Sequence, residues 1–223
     1  MKAVTALVRR GVAFELALYR SLLRWVTRRP DVPAGTVAFA YVGAVAVLLW
    51  AFIVVSAIEL VALHLLLPWE TIRIIADVLG IWGLVWMLGL TASFNVYPHL
   101  VGDSGLRVRH GAATDITVPW DAIARISVRE RSRDSSRALQ LEQGEHSTVL
   151  HVVIASRTNV EITLRRPLVV PLAKGDESID ELRLFANDAR ALASRVREKL
   201  APRRRTTQEA GAAAGSRCSG RDR

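Results

Sequence analysis

The stretch VAFAYVGAVAVLLWAFIVVSAI, Val37 to Ile58, decides how this chain is read: 22 residues pass without a charge. At 1.5 Å per helical residue the run reaches ~33 Å, enough to cross a hydrocarbon core of about 30 Å. A second run, IRIIADVLGIWGLVWMLGLTASF, extends from Ile72 to Phe94, and its uncharged part, Val78 to Phe94, has 17 residues. The rest of the chain is too small to bury both as core helices of a soluble domain. Residues 37–94 are therefore expected to form a transmembrane hairpin, with spans at 37–58 and 72–94 and a reversal at Pro68-Trp69.

Charge orients the hairpin. Residues 1–30 carry Lys2, Arg9, Arg10, Arg20, Arg24, Arg28 and Arg29 against Glu15 alone. The connection from Glu59 to Asp77 holds only Arg73, whereas Arg107 and Arg109 follow the second span closely. Cytoplasmic flanks are the Lys- and Arg-rich ones, so both termini are expected in the cytoplasm, with the protein a two-span resident of the plasma membrane. The first apolar run is too long for the core of a cleaved signal peptide.

Within residues 1–30, Val4, Leu7, Val8, Val12, Leu18, Leu22 and Val26 follow a helical period, while Arg9, Arg20, Arg24 and Arg28 gather on another side. This predicts an amphipathic helix whose arginines contact anionic lipid headgroups, the alternative being a helix packed on the protein's own folded domain. The formal charge of +9 sits mostly at the two ends of the chain. Basic ends beside a membrane segment point to lipid rather than nucleic acid.

Four ionisable residues interrupt the hairpin near its reversal: Glu59, His64, Arg73 and Asp77. Glu59 and Asp77 each stand nine residues from Pro68, and His64 and Arg73 four and five, so facing helices place them at similar depth. Such a cluster suits a proton or ion path; the competing reading is an interfacial layer where Arg73 neutralises a carboxylate.

After Phe94 the period changes to two. Leu106 to His110, Ile116 to Val118 and Ile126 to Arg129 alternate, and Val149 to Ala155 and Val160 to Leu164 are rich in β-branched residues. Residues 95–200 are expected to form one cytoplasmic, antiparallel β domain, with Arg131 to His146 a polar loop and a further strand at Ile179 to Phe185. A final helix carries Leu192, Val196 and Leu200 behind a cap at Asn187 or Asp188. Residues 201–223, basic and without periodicity, read as a disordered tail.

Gly105-Leu106-Arg107-Val108-Arg109 with Gly111, then Ile116-Thr-Val-Pro-Trp120 with Ile123, Ile126 and Val128, resemble the bacterial pleckstrin-homology-like (PH-like) membrane proteins, a largely uncharacterised group. The resemblance covers roughly Phe94 to Leu200 and implies a strand ending at a Pro-Trp corner, one helical turn, and a strand starting at an isoleucine. It also implies a last strand and a capping helix, and no catalytic residues. In the region where related domains hold lipid phosphates stand Arg107 and Arg109, which strand alternation puts on one face, where a solvated surface is the competing reading.

Little else suggests chemistry. Gly102-Asp-Ser-Gly105 matches the peptide around a serine-protease nucleophile, but the barrel needed upstream is replaced by a hairpin, and Gly, Asp and Ser all favour a tight turn. The single cysteine, Cys218, supports neither a disulfide framework nor a cysteine zinc site, and His64, His99, His110, His146 and His151 lack ligand spacing, so no cofactor or metal is expected. The expected function is a non-enzymatic, membrane-anchored scaffold binding an unidentified protein partner or itself. The alternative is a small transport or proton-coupled sensor unit built on the hairpin cluster.

Overall fold

The computed structural model describes residues 2–133, 135, 137–144, 147–172 and 175–201. Three helices come first, α1 (Lys2–Val26), α2 (Gly43–Leu66) and α3 (Glu70–Val96), with a short strand, β1 (Val37–Phe39), between α1 and α2. Eight more strands follow: β2 (His99–Val101), β3 (Gly105–His110), β4 (Thr114–Pro119), β5 (Ile123–Ser132), β6 (Leu139–Gln143), β7 (Thr148–Val152), β8 (Arg157–Leu172) and β9 (Gly175–Leu184). A helix over 189–201, α4, ends the described chain. The layout is α+β, with two long apolar helices ahead of the sheets.

The first long apolar helix does not begin where hydropathy begins. Val37–Phe39 pairs antiparallel with β2, Val37 opposite Val101 and Phe39 opposite His99, so the helix starts only at Gly43. Hydropathy alone cannot separate an apolar strand from an adjoining apolar helix. The β domain therefore includes residues on both sides of the hairpin, which interrupts it between two paired strands. Both helices also run further than expected, α2 through Glu59 and His64 to Leu66 and α3 from Glu70 to Val96.

α2 and α3 pack antiparallel. Ser56 Oγ lies 4.0 Å from Met87 Sδ, Leu60 covers Gly80, and His64 Nδ1 is 2.7 Å from Asp77 Oδ2. Most of their other apolar side chains stay open, including Val47, Phe52, Val55, Leu65, Leu66 and Ile75, each more than half exposed. By length and composition both helices can cross a membrane.

α1 packs on α3 rather than standing alone. A Cβ added at Gly89 would sit 3.2 Å from both Leu18 Cβ and its carbonyl oxygen, so the absence of a side chain there brings the two helices together. Nearby, the Trp82 indole N–H reaches Glu15 Oε1 and the Tyr19 hydroxyl, both at 3.0 Å, and Tyr19 donates to Glu15 at 2.6 Å. Val8, Val12 and Leu16, four residues apart, remain more than half exposed on α1.

The strands form two sheets, one in the order β1-β2-β3-β4 and the other β5-β8-β9-β7-β6. Leu106, Val108, Ile116, Val118, Trp120, Ile126, Leu150, Ile162, Leu182 and Leu184 make one core, which Leu192, Val196 and Leu200 of α4 help close. The expected all-antiparallel arrangement is only partly realised, because β9 inserts between β7 and β8 and runs parallel to β7. The polar segment after Arg131 is not all loop: Leu139–Gln143 pairs with β7. The expected 201–223 tail lies outside the described residues apart from Ala201, as do Cys218 and His146.

Candidate functional site

Of the four hairpin residues, two meet. His64 Nδ1 and Asp77 Oδ2 stand at hydrogen-bond distance, 2.7 Å, beside an open groove that Leu60, Val61 and Ile81 line. His64 is 57% exposed, so the pair sits on the surface of the helix pair rather than inside it. Among the described residues neither the Glu59 nor the Arg73 side chain makes a hydrogen bond or ion pair with the pair or with each other. The four-residue layer is thus reduced to one pair, with Glu59 exposed on α2.

The arginines assigned to lipid headgroups divide differently. Arg9 and Arg20 are exposed and unpaired among the described residues. Arg28 is exposed as well, with φ of 54°; it ends α1 as the left-handed residue of a Schellman turn in which Arg29 N–H bonds Arg24 O at 2.8 Å and Arg28 N–H bonds Trp25 O at 3.0 Å. Arg107 Nε bonds Asp115 Oδ1 at 2.6 Å across the β3–β4 pair. Arg109 is a correction: it is 1% exposed and out of reach of any headgroup.

Arg109 instead grips the segment between α1 and β1. Its Nη1 donates to the Asp31 carbonyl at 2.8 Å, and its Nη2 lies 3.1 Å from Asp31 Oδ2, an ion pair without hydrogen-bond alignment. Arg24 reaches the other carboxylate oxygen of Asp31 at 3.0 Å, and Asp31 N–H bonds the carbonyl of Val96 at the end of α3. One residue thus fastens three elements, its carboxylate meeting Arg24 of α1 and Arg109 of β3 and its backbone N–H meeting the end of α3. Asp115 at 3.8 Å and the Tyr97 ring at 5.7 Å complete the surroundings of the buried guanidinium.

Beside this knot the feet of the hairpin are fixed by aromatic and amide groups. Tyr41, fully buried, stacks on His99 at 4.6 Å and accepts the Gly111 N–H at 2.7 Å. Gly111 has φ of 55°, and a Cβ there would come within 2.9 Å of Ser93 Oγ, so only glycine fits. His99 Nδ1 accepts from Arg109 N–H at 3.1 Å, which leaves Nε2–H to donate to Phe185 O at 3.0 Å and defines a neutral ring. Burial pushes the His99 pKa down to about 4, raises that of Tyr41 and lowers that of His110.

Asn187 has an unexpected task. Its Oδ1 accepts Gly43 N–H at 3.0 Å, its own N–H donates to Ala40 O at 2.9 Å, and Asp188 caps α4 through Ala191 N–H at 2.8 Å. Val42 offers α2 no capping side chain, so the cap comes from 144 residues away. Asp31, Tyr41 and Asn187 carry no motif. The sequence signals available were an acid enclosed by Pro30 and Pro33 in an arginine-rich segment, and two adjacent capping residues where one helix needs one.

Ser104 stands exposed in the β2–β3 turn, where Trp120 Nε1–H holds the carbonyls of Gly102 and Asp103 at 3.2 and 3.0 Å. No histidine bonds it among the described residues, nor does any group of three His, Cys, Asp or Glu there stand close enough to hold a metal ion. The architecture defines an α+β protein with an apolar helical hairpin set into a β domain. Comparison with protein-family models, curated proteins and solved structures finds no match to this chain.

Proposed function

We propose that this chain is a membrane-anchored, PH-like interaction module without enzymatic activity, its α2–α3 hairpin crossing a bacterial plasma membrane and its β domain held at the cytoplasmic face. One observation carries the reading: helices of 24 and 27 residues with open apolar surfaces emerge from between the paired strands β1 and β2. Apolar surface left in water costs about 25 cal/mol per Å², a cost that lipid tails remove. Exposed Arg9, Arg20 and Arg28 favour anionic headgroups and the positive-inside orientation. The path of β4 to Pro119, the 3₁₀ turn Trp120–Ala122, β5 from Ile123 and the closing helix supports the PH-like reading. A weak interface held at fixed height in two dimensions gains effective concentration, which suits a scaffold for a protein partner or a second copy.

Reporters fused after Leu200 and inserted at Pro68 should read cytoplasmic and external respectively, and the protein should stay with membranes in alkaline carbonate. Release by carbonate, or an external signal after Leu200, refutes the anchor as drawn. The His64–Asp77 pair supports a second reading, a proton-coupled sensor or small transport unit. An Asp77→Asn variant that inserts normally but loses a pH-dependent response favours that reading; unchanged partner recovery favours the first.

A further inference from the structure

We infer that the open edge of β5 binds an extended acidic peptide segment of a partner protein, which adds a strand there and sets its carboxylates against Arg125, Arg129 and Arg197. The inference rests on the interaction-module reading above and names the site and the chemistry of its partner.

Three observations converge. Among the described residues β5 is the outermost strand of the five-stranded sheet, with β8 its one strand partner. Arg197 of α4 reaches across to the Ile126 carbonyl at 3.3 Å, which shows that Ile126 turns its backbone groups away from β8. The register is uninterrupted from Ile126 to Val128, so Val128 turns its N–H and C=O the same way, and its side chain is 41% exposed. Arg197 takes the Ile126 carbonyl, while the outward N–H and C=O of Val128 stay unclaimed among the described residues, and unclaimed groups on a strand edge are a template for another extended chain.

The lining of this edge selects the occupant. A groove follows it, bordered by Arg125, Ser127, Val128, Arg129, Glu161 and Arg197. The Arg125 and Arg129 side chains have no ion pair or hydrogen bond among the described residues, and that of Arg197 has only the Ile126 carbonyl. Glu161, the one acid there, is engaged by Arg131 at 3.6 Å and Arg183 at 4.0 Å. Three uncompensated guanidiniums beside an open edge call for carboxylates on alternate residues of the incoming strand.

Other occupants fit less well. Two copies joined edge to edge would set arginine against arginine, and like charges across a strand pair are unfavourable. The chain's own 203–223 segment carries six arginines against Glu209 and Asp222, the wrong sign. A lipid headgroup could meet the guanidiniums with its phosphate but brings no chain of N–H and C=O groups to pair with the strand edge.

The test uses the full chain in neutral-lipid nanodiscs, titrated with a labelled octapeptide of alternating glutamate and valine. Saturable, salt-sensitive binding is expected. It should weaken at least tenfold in Arg125→Glu/Arg129→Glu and at least tenfold when alternate peptide nitrogens are methylated; a lysine-valine peptide should bind the reversed-charge variant instead. Both arginines are surface groups, so the variant keeps its fold, which circular dichroism checks. No saturable binding up to about 1 mM overturns the inference. So does equal binding of the methylated peptide, which leaves charge alone, and so does displacement of the peptide by phosphatidylglycerol with loss of vesicle binding in the variant, which assigns the arginines to lipid. Crosslinked partners recovered equally by wild type and variant refute this groove while leaving the module reading intact. Absence of any specific partner counts against the module reading, and the peptide titration still decides the groove.

Discussion

Replacing Asp31 by alanine should loosen the hairpin from the β domain more than any other single surface change. Arg109 would keep its 2.8 Å bond to the residue-31 carbonyl and its distant Asp115 contact at 3.8 Å, but lose the carboxylate 3.1 Å away. Removing one member of a buried ion pair costs about 3–5 kcal/mol. Asp31 is 35% exposed and Arg109 retains partial compensation, which lowers the expected cost to about 2–3 kcal/mol. Arg24, 46% exposed, should contribute no more than about 1 kcal/mol when replaced by alanine.

Hydrogen exchange on the full chain in mild detergent reads this locally, without requiring the hairpin to unfold. Amides of β3 and of the Asp31–Val96 contact should exchange about 30- to 150-fold faster in Asp31→Ala, with little change in β6. Combining Asp31→Ala with Arg109→Met removes the stranded charge and should restore part of the protection. Equal effects of Asp31→Ala and Arg24→Ala, or a double variant worse than the sum of its parts, would refute the view of Asp31 as the counter-charge of a buried arginine.

Other outcomes follow from single contacts. Gly89→Leu should push α1 off α3 at Leu18, seen as new protease sensitivity within residues 11–26 while β-domain exchange stays unchanged. Ala155 and Ser156 hold φ of 49° and 59° in the tight turn closed by the Ile154–Arg157 bridge, so Ala155→Asn with Ser156→Gly should stabilise the protein by about 1–2 kcal/mol, measured by thermal unfolding. His99 is neutral when folded, with its pKa at about 4, whereas the unfolded ring takes up a proton near pH 6.5. The unfolded state therefore binds more protons between those values, and stability should fall from pH 6.5 towards 4 by up to about 1.4 kcal/mol per unit. A His99→Gln variant should flatten that slope, measured by denaturant titration at pH 7 and 5.

What could be read from the sequence was whatever local pattern controls. The apolar runs, the alternation around Leu106 and Ile126, the Pro119-Trp120 corner and the every-fourth spacing of Leu192, Val196 and Leu200 all lie where one face of one element meets one environment. What escaped depends on contacts distant in sequence. Val37–Phe39 is as apolar as the helix after it and becomes a strand only because β2 returns beside it 60 residues later. Arg107 and Arg109 share a strand face, yet one is half open and the other buried, because only Arg109 lies beneath the 27–36 segment that carries Asp31. Glu59 and Asp77 are equally spaced from Pro68, but spacing gives depth and not azimuth, and azimuth gave Asp77 to His64.

These distant contacts bear on how an anchor could serve its domain. A flexible linker would let the β domain turn freely above its hairpin, and its open edges would sample every direction. Here three separate fastenings cross the junction: the β1–β2 pair, the Asn187 cap on α2, and the Asp31 bridge from Val96 to Arg109. Under the proposed insertion, a tilt of α2 or α3 would have to carry the strands with it, and the β5 edge would keep a set height and heading above the membrane. A partner segment tethered to the same membrane would then meet that edge in one orientation only. Loosening the junction with Asp31→Ala should therefore weaken capture of a membrane-tethered glutamate-valine peptide more than capture of the free peptide, which touches only β5 and α4.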